Sequence, residues 1–151
     1  MARRRGKVTG IDPRTVARRA RRILSALGER DAELSVLLVT DALIRELNRD
    51  WRGIDRPTDV LSFPQRDPGS APSPGACVLG DVVISVETAK RRADKRSLPL
   101  LEEITGLLIH GVLHLIGFDH GNDAEEASME ARAKQLMDAL RGRISKDSKA
   151  L

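Results

Sequence analysis

Leu100-Leu-Glu-Glu-Ile-Thr-Gly106-Leu-Leu-Ile-His110-Gly-Val-Leu-His114-Leu-Ile116 places apolar residues on nearly every face of a helix. That is the pattern of an element covered on all sides rather than laid on a surface. Such a helix needs layers around it, and the remaining segments supply them. Pro99 restarts the chain before it and Gly117 ends it. Beyond, Asp123 or Ala124 opens an amphipathic helix reaching about Leu140 through Met129, Ala133, Leu136 and Met137. Upstream, Asp12-Pro13 reads as an N-cap followed by proline at the first helical position, with Val16, Ala20, Ile23, Leu24 and Leu27 at helical spacing until Gly28. Leu34 to Val39 predicts a covered strand. Thr40-Asp41 predicts the cap of a helix to about Trp51, and Val60 to Phe63 a second strand stopped by Pro64. Gln65 to Ala76, rich in Pro, Gly and Ser, predicts an exposed excursion. Val78 to Val86 predicts a strand with a bulge at Gly80-Asp81, and Glu87 to Arg96 a short basic helix.

At 151 residues, 40% hydrophobic and 32% charged, the chain is long enough for one core and too short for two. The expected organisation is a basic segment at 1–11 with room for a short strand, one domain over 12–140, and a polar tail at 141–151. No run approaches the roughly 18 to 20 apolar residues of a membrane span. The N-terminus lacks an apolar h-region, and the lone Cys77 fits a reducing compartment, so a cytoplasmic protein is expected. Residues 1 to 30 hold ten Lys or Arg against Asp12 and Glu29, although the whole chain is only +4. Arg14, Arg18, Arg21 and Arg22 fall on the polar face of the first helix, as a footprint for a polyanion or as plain solvation. With only Trp51, Phe63 and Phe118 as aromatics, a platform stacking several bases is poorly supported.

All three histidines, His110, His114 and His120, lie within eleven residues. Positions i and i+4 project from one helix face about 6 Å apart, so two imidazoles there can share a small cation. Gly117 permits a turn that swings His120 back toward them. Three imidazoles with an open fourth position are the arrangement of catalytic rather than structural zinc, where a bound water ionises near neutral pH. A single histidine would ordinarily be a satisfied core or surface residue; three at this spacing need a common partner. The spacing equals that of the peptidase signature H-E-x-x-H-x-x-G-x-x-H, but Gly111 replaces its glutamate, so the general base is missing. Mid-helix glycine costs about 1 kcal/mol against alanine. Gly111 is read as making room beside the metal for a bulky ligand, and Gly106 as close packing of a neighbouring strand. Asp119 either orients an imidazole, accepts a proton or caps the next segment.

The His110 to His120 block, with Asn48-Arg-Asp-Trp51-Arg52-Gly-Ile-Asp-Arg56-Pro-Thr58-Asp59-Val-Leu-Ser-Phe63-Pro64, resembles the YbeY family of bacterial rRNA maturation factors. Leu79-Gly80-Asp81 and the acidic Glu125 to Glu130 segment fit as well, over about residues 34 to 140. The resemblance implies an α+β fold: one domain, a small mixed and mostly parallel sheet packed with helices, and a metal site on the buried central helix and the turn after it. It implies one Zn2+ per chain held by His110, His114 and His120, with Arg52 as the catalytic arginine and Arg52 and Arg56 as RNA-binding residues. The implied activity is a single-strand-specific endoribonuclease of rRNA maturation and ribosome quality control, including 16S rRNA 3′-end processing. Its partners would be small-subunit rRNA, with ribosomal proteins or assembly factors as further candidates, and no membrane. A guanidinium near a metal suits a phosphodiester, whose transition state gathers negative charge; the bland alternative is a helix-end surface charge. The nucleophile is left open between a metal-activated water and the RNA 2′-hydroxyl. Two rivals are a non-catalytic ribosome-assembly factor with a structural zinc and a metallopeptidase lacking the usual glutamate. Family members begin with a fuller first strand, whereas here only Lys7 to Ile11 is available for one, after Arg3-Arg4-Arg5.

Overall fold

The computed structural model describes residues 1–66, 77–118 and 121–149. In chain order its elements are β1 (Ala2–Arg4), α1 (Pro13–Ala26), β2 (Ala32–Val39), α2 (Asp41–Arg52), β3 (Val60–Pro64), β4 (Cys77–Ser85), α3 (Val86–Arg96), α4 (Leu100–Leu115) and α5 (Asp123–Lys149). The strands form one sheet in the order β1-β2-β4-β3. β1 and β4 flank β2 in parallel, and β3 is antiparallel to β4. The domain is thus α+β with a mixed, mostly parallel sheet, as the resemblance implied.

Local sequence accounts for most of these boundaries. The Asp12 side chain accepts from the Arg14 backbone N–H at the start of α1, with proline in the first turn. The Thr40 hydroxyl accepts from Leu43 N–H at the start of α2, and Ser85 does the same for Thr88 in α3. On β2, Leu34, Val36 and Leu38 face the larger core with α1, α4 and α5, whereas Leu37 and Val39 face a smaller core under α2. The period of two splits the run between two covered faces, which is why it reads as continuously apolar. α4 lies against the sheet on the larger side, with Ile104, Leu108, Ile109, Leu113 and Leu115 fully buried. Each such side chain contributes roughly 1.5–3 kcal/mol on transfer from water.

Three expectations are corrected. The first strand is not Lys7 to Ile11 but Ala2–Arg4, paired with Val36 to Leu38. Arg5 N–H still donates to Leu38 O, after which the chain leaves the sheet and Val8 and Ile11 turn into the core. An edge strand needs only backbone partners, and its arginines remain in solvent, where charge protects the open edge. The bulge falls at Leu79, one residue before Gly80-Asp81: β2 passes from Glu33 to Leu34 while β4 passes from Val78 to Gly80. Finally, α5 continues beyond Leu140 to Lys149, through most of the segment expected as a polar tail. Most of the Gln65 to Ala76 excursion lies outside the described residues. Among the described residues, no single helix is long and apolar enough to cross a membrane.

Candidate functional site

From Glu103 to Leu115, every residue of α4 is buried except Gly106, His110 and His114. These follow at i, i+4 and i+8, so they form one stripe, and over that stripe opens a cleft of about 1240 Å³. Gly106 leaves its floor low: a Cβ there would meet only the Met137 methyl, at 3.8 Å. Gly111, by contrast, faces the sheet, where a Cβ would lie 2.6 Å from Val82 Cγ1. The two glycines therefore exchange the roles expected of them. Gly111 permits close approach of helix and strand, and Gly106 opens the cleft. The Ser62 hydroxyl completes that approach by donating to Gly111 O at 2.9 Å.

Both described histidines are oriented by backbone carbonyls, His110 within its own helix and His114 by the turn that follows it. His110 Nδ1 lies 2.8 Å from Gly106 O, and His114 Nδ1 lies 3.0 Å from Phe118 O. A carbonyl oxygen can only accept, so Nδ1 carries a proton in each ring, and in the neutral ring Nε2 is then the lone-pair nitrogen. That tautomer, fixed by a backbone carbonyl, is the one in which imidazole serves as a metal ligand through Nε2. The bond to Phe118 O depends on the turn at Gly117, whose φ of 113° is costly for any residue with a Cβ. His120 and Asp119 lie outside the described residues. Among the described residues, no group of three His, Cys, Asp or Glu side chains converges as a metal site.

Arg52 lines the same cleft from the last turn of α2. Gly53 follows it in the left-handed conformation, φ 71°, and ends the helix so that the chain turns toward β3. Arg56 is exposed and is not among the cleft-lining residues; its carbonyl accepts from Asn48 Nδ2 at 2.9 Å. The structure thus brings Arg52, His110 and His114 together and leaves Arg56 on the outside of the following loop.

The cleft also gathers side chains that sequence reasoning missed. Arg92 and Arg96 enter from α3, Glu102 and Glu103 from α4, and Glu130, Lys134, Asp138 and Arg141 from α5. Three pairs neutralise much of this charge: Arg92 with Asp59, Arg96 with Glu103 at 3.1 Å, and Arg141 with Glu102 at 2.7 Å. The Glu102 carboxylate also holds the Arg141 pKa above its ordinary value. On α5, Lys134 stands one turn from both Glu130 and Asp138. Arg52, which also lines the cleft, has no ion pair among the described residues. The i, i+4, i+8 spacing of Glu130, Lys134 and Asp138 was a legible signal of a shared face. Which neighbour that face would meet was not legible.

Fold and site together define a small α+β protein with a charged cleft built on two tautomer-fixed histidines of its central helix. Residues 3–141 match the family model described as Endoribonuclease YbeY. The chain belongs to that family. It is 50% identical over 123 residues to the Endoribonuclease YbeY of Anaeromyxobacter dehalogenans, covering 82% of this chain and 62% of that relative. It is 45% identical over 135 residues to that of Paramagnetospirillum magneticum, covering 85% and 82%. Against the Rhodopseudomonas palustris relative the identity is 45% over 111 residues, or 73% of this chain and 66% of that one. The chain therefore spans a little under two thirds of the length of several curated relatives. The solution structure of TM1509 from Thermotoga maritima superposes with a TM-score of 0.66 at 26% identity, covering 97% of this chain and 93% of that one.

Proposed function

We propose that this chain is a zinc-dependent endoribonuclease that cuts single-stranded RNA, with small-subunit rRNA as its substrate and 16S rRNA 3′-end maturation as its role. The observation that carries the reading is the cleft itself: two imidazoles whose Nδ1 atoms are held by backbone carbonyls share it with an arginine that has no ion pair among the described residues. The donor set fits zinc, a borderline ion that imidazole suits better than it suits magnesium. His110 and His114 would hold it, with His120 as the third ligand. When bound, the ion would supply Lewis acidity and lower the pKa of coordinated water.

The chain's own groups do the rest. Gly106 O and Phe118 O hold the two ring protons and so fix the direction of each Nε2. Arg52 offers a planar fork to a phosphodiester oxygen, and its five donors remain charged throughout the reaction. A positive charge aimed at the scissile phosphate stabilises the transition state, where negative charge concentrates, more than the ground state.

The test compares wild type, Arg52→Ala and His114→Ala on one single-stranded RNA, with zinc content and melting measured alongside. Wild type should hold close to one zinc per chain and cleave; His114→Ala should lose the metal. Arg52→Ala should keep zinc and melting temperature while turnover falls by roughly 30- to 1000-fold, the loss of about 2–4 kcal/mol of transition-state stabilisation. Wild type without transition metal, or without cleavage above a nuclease-free control, would overturn the proposal.

A further inference from the structure

Trp51 is 71% exposed, against 66% for Met1 and 45% for Val78, the other large hydrophobics exposed among the described residues. It belongs to neither apolar cluster, since α2 turns Ile44, Leu43 and Leu47 toward the sheet and leaves the indole outside. Its position is nevertheless held. The indole makes an edge contact with Phe63, ring centroids 6.0 Å apart and planes at 69°, and Phe63 is itself packed on the smaller core. A large flat ring is thus fixed on one side and open to water elsewhere, on the rim of the cleft that holds Arg52, His110 and His114. Core packing does not account for a tryptophan there. A ligand with an apolar face and a negative charge one step away would.

We propose that Trp51 is a stacking platform for one unpaired nucleobase, placed so that Arg52, the next residue in the chain, takes the adjoining phosphate. The assignment rests on the reading of the cleft as an RNA site and deepens it, because it names the feature that selects single strands. In a duplex both faces of every internal base are already stacked, so the indole has nothing to receive. In a single strand a base can turn its face onto the ring without breaking a pair. Stacking tolerates any base, since each has a π-face, and the platform therefore selects strandedness rather than sequence. One platform suffices for this; a succession of stacked bases is not required.

The chain has a single tryptophan and no tyrosine, so the emission of the intact protein reports on Trp51 alone. Wild type is titrated with a short oligouridylate, with a ribose-phosphate chain of equal length lacking bases, and with an RNA duplex. Binding to wild type, Trp51→Ala and Trp51→Phe is read independently from the anisotropy of end-labelled oligomers. Oligouridylate should quench the emission and the abasic chain should not. Trp51→Ala should weaken oligouridylate roughly 5- to 100-fold, leave the abasic chain unchanged and keep the wild-type melting temperature, and Trp51→Phe should recover most of the loss. Oligouridylate that binds without altering the emission, or a Trp51→Ala variant that weakens both chains equally, overturns the assignment, as does failure of every oligomer to bind. RNA cleavage is scored separately. Quenching without cleavage would sink the ribonuclease reading alone, whereas cleavage with unchanged KM and strand preference in Trp51→Ala would sink the stacking platform alone.

Discussion

Replacing Gly111 by alanine measures how closely α4 lies on the sheet. The added Cβ would stand 2.6 Å from Val82 Cγ1, 3.1 Å from Val82 Cγ2 and 3.3 Å from Ser62 Oγ. Carbon atoms settle at about 3.5–4.0 Å, so helix and strand would have to part by on the order of 1 Å, or Val82 would have to leave its rotamer. Val82 is fully buried and branched at Cβ, which makes the rotation costly and leaves the displaced methyls no space. Overpacking of this kind costs about 1–3 kcal/mol, and both Val82 methyls are involved, which argues for the upper half of that range. Alanine recovers about 1 kcal/mol of helix propensity. The net expectation is roughly 1–2 kcal/mol of destabilisation, or on the order of 2–8 °C in Tm for a domain of this size. Thermal and urea unfolding followed by circular dichroism would read it. The double variant Gly111→Ala/Val82→Ala removes the two methyls that clash, so its loss should fall short of the summed single losses by at least about 0.5 kcal/mol. A Gly111→Ala protein that melts at or above wild type while losing metal would refute this reasoning. It would also restore the view that the glycine makes room beside a bound ion.

Two further outcomes follow from buried charge. Glu29 and Arg66, 5% and 9% exposed, form a two-pronged pair at 2.7 and 3.0 Å. Glu29→Ala should therefore cost about 3–5 kcal/mol in urea unfolding by stranding the guanidinium, and an apolar pair at both positions should recover most of it; a loss below about 1 kcal/mol would show that the pair is solvated. Burial alone would raise the Asp41 pKa, but hydrogen bonds from Ser85, Thr88 and Arg91 outweigh it and hold the carboxyl below its ordinary value. Its stabilisation is therefore complete above the unfolded value of about 4 and lost as pH falls through the lower folded one. Asp41→Asn should flatten the acid limb of the stability profile below about pH 4, and an unchanged limb would refute the assignment.

Much of this protein was legible along the chain because the signals are local. The caps at Asp12 and Thr40 act within three residues of themselves, and the i, i+4 placement of His110 and His114 on one face follows from helix geometry alone. The all-round apolar pattern of Leu100 to Ile116 announced a covered helix, and it is one. The histidine stripe needed no knowledge of what would face it. Tertiary structure decided whatever depends on a partner distant in sequence. β1 forms among arginines because its partner offers backbone groups to an edge, and side-chain patterning carries no trace of that demand. Propensity shows that Gly106 and Gly111 each cost helix stability; only the neighbours, Met137 for one and Val82 for the other, show why. Glu29 counts as an ordinary surface acid until the chain, 37 residues later, delivers Arg66 to it. The cleft likewise joins α2, α3, α4 and α5, and no single segment can specify which of its charges will be cancelled across the gap. Helical periodicity assigns a residue to a face, but the face acquires its chemistry from what packs against it.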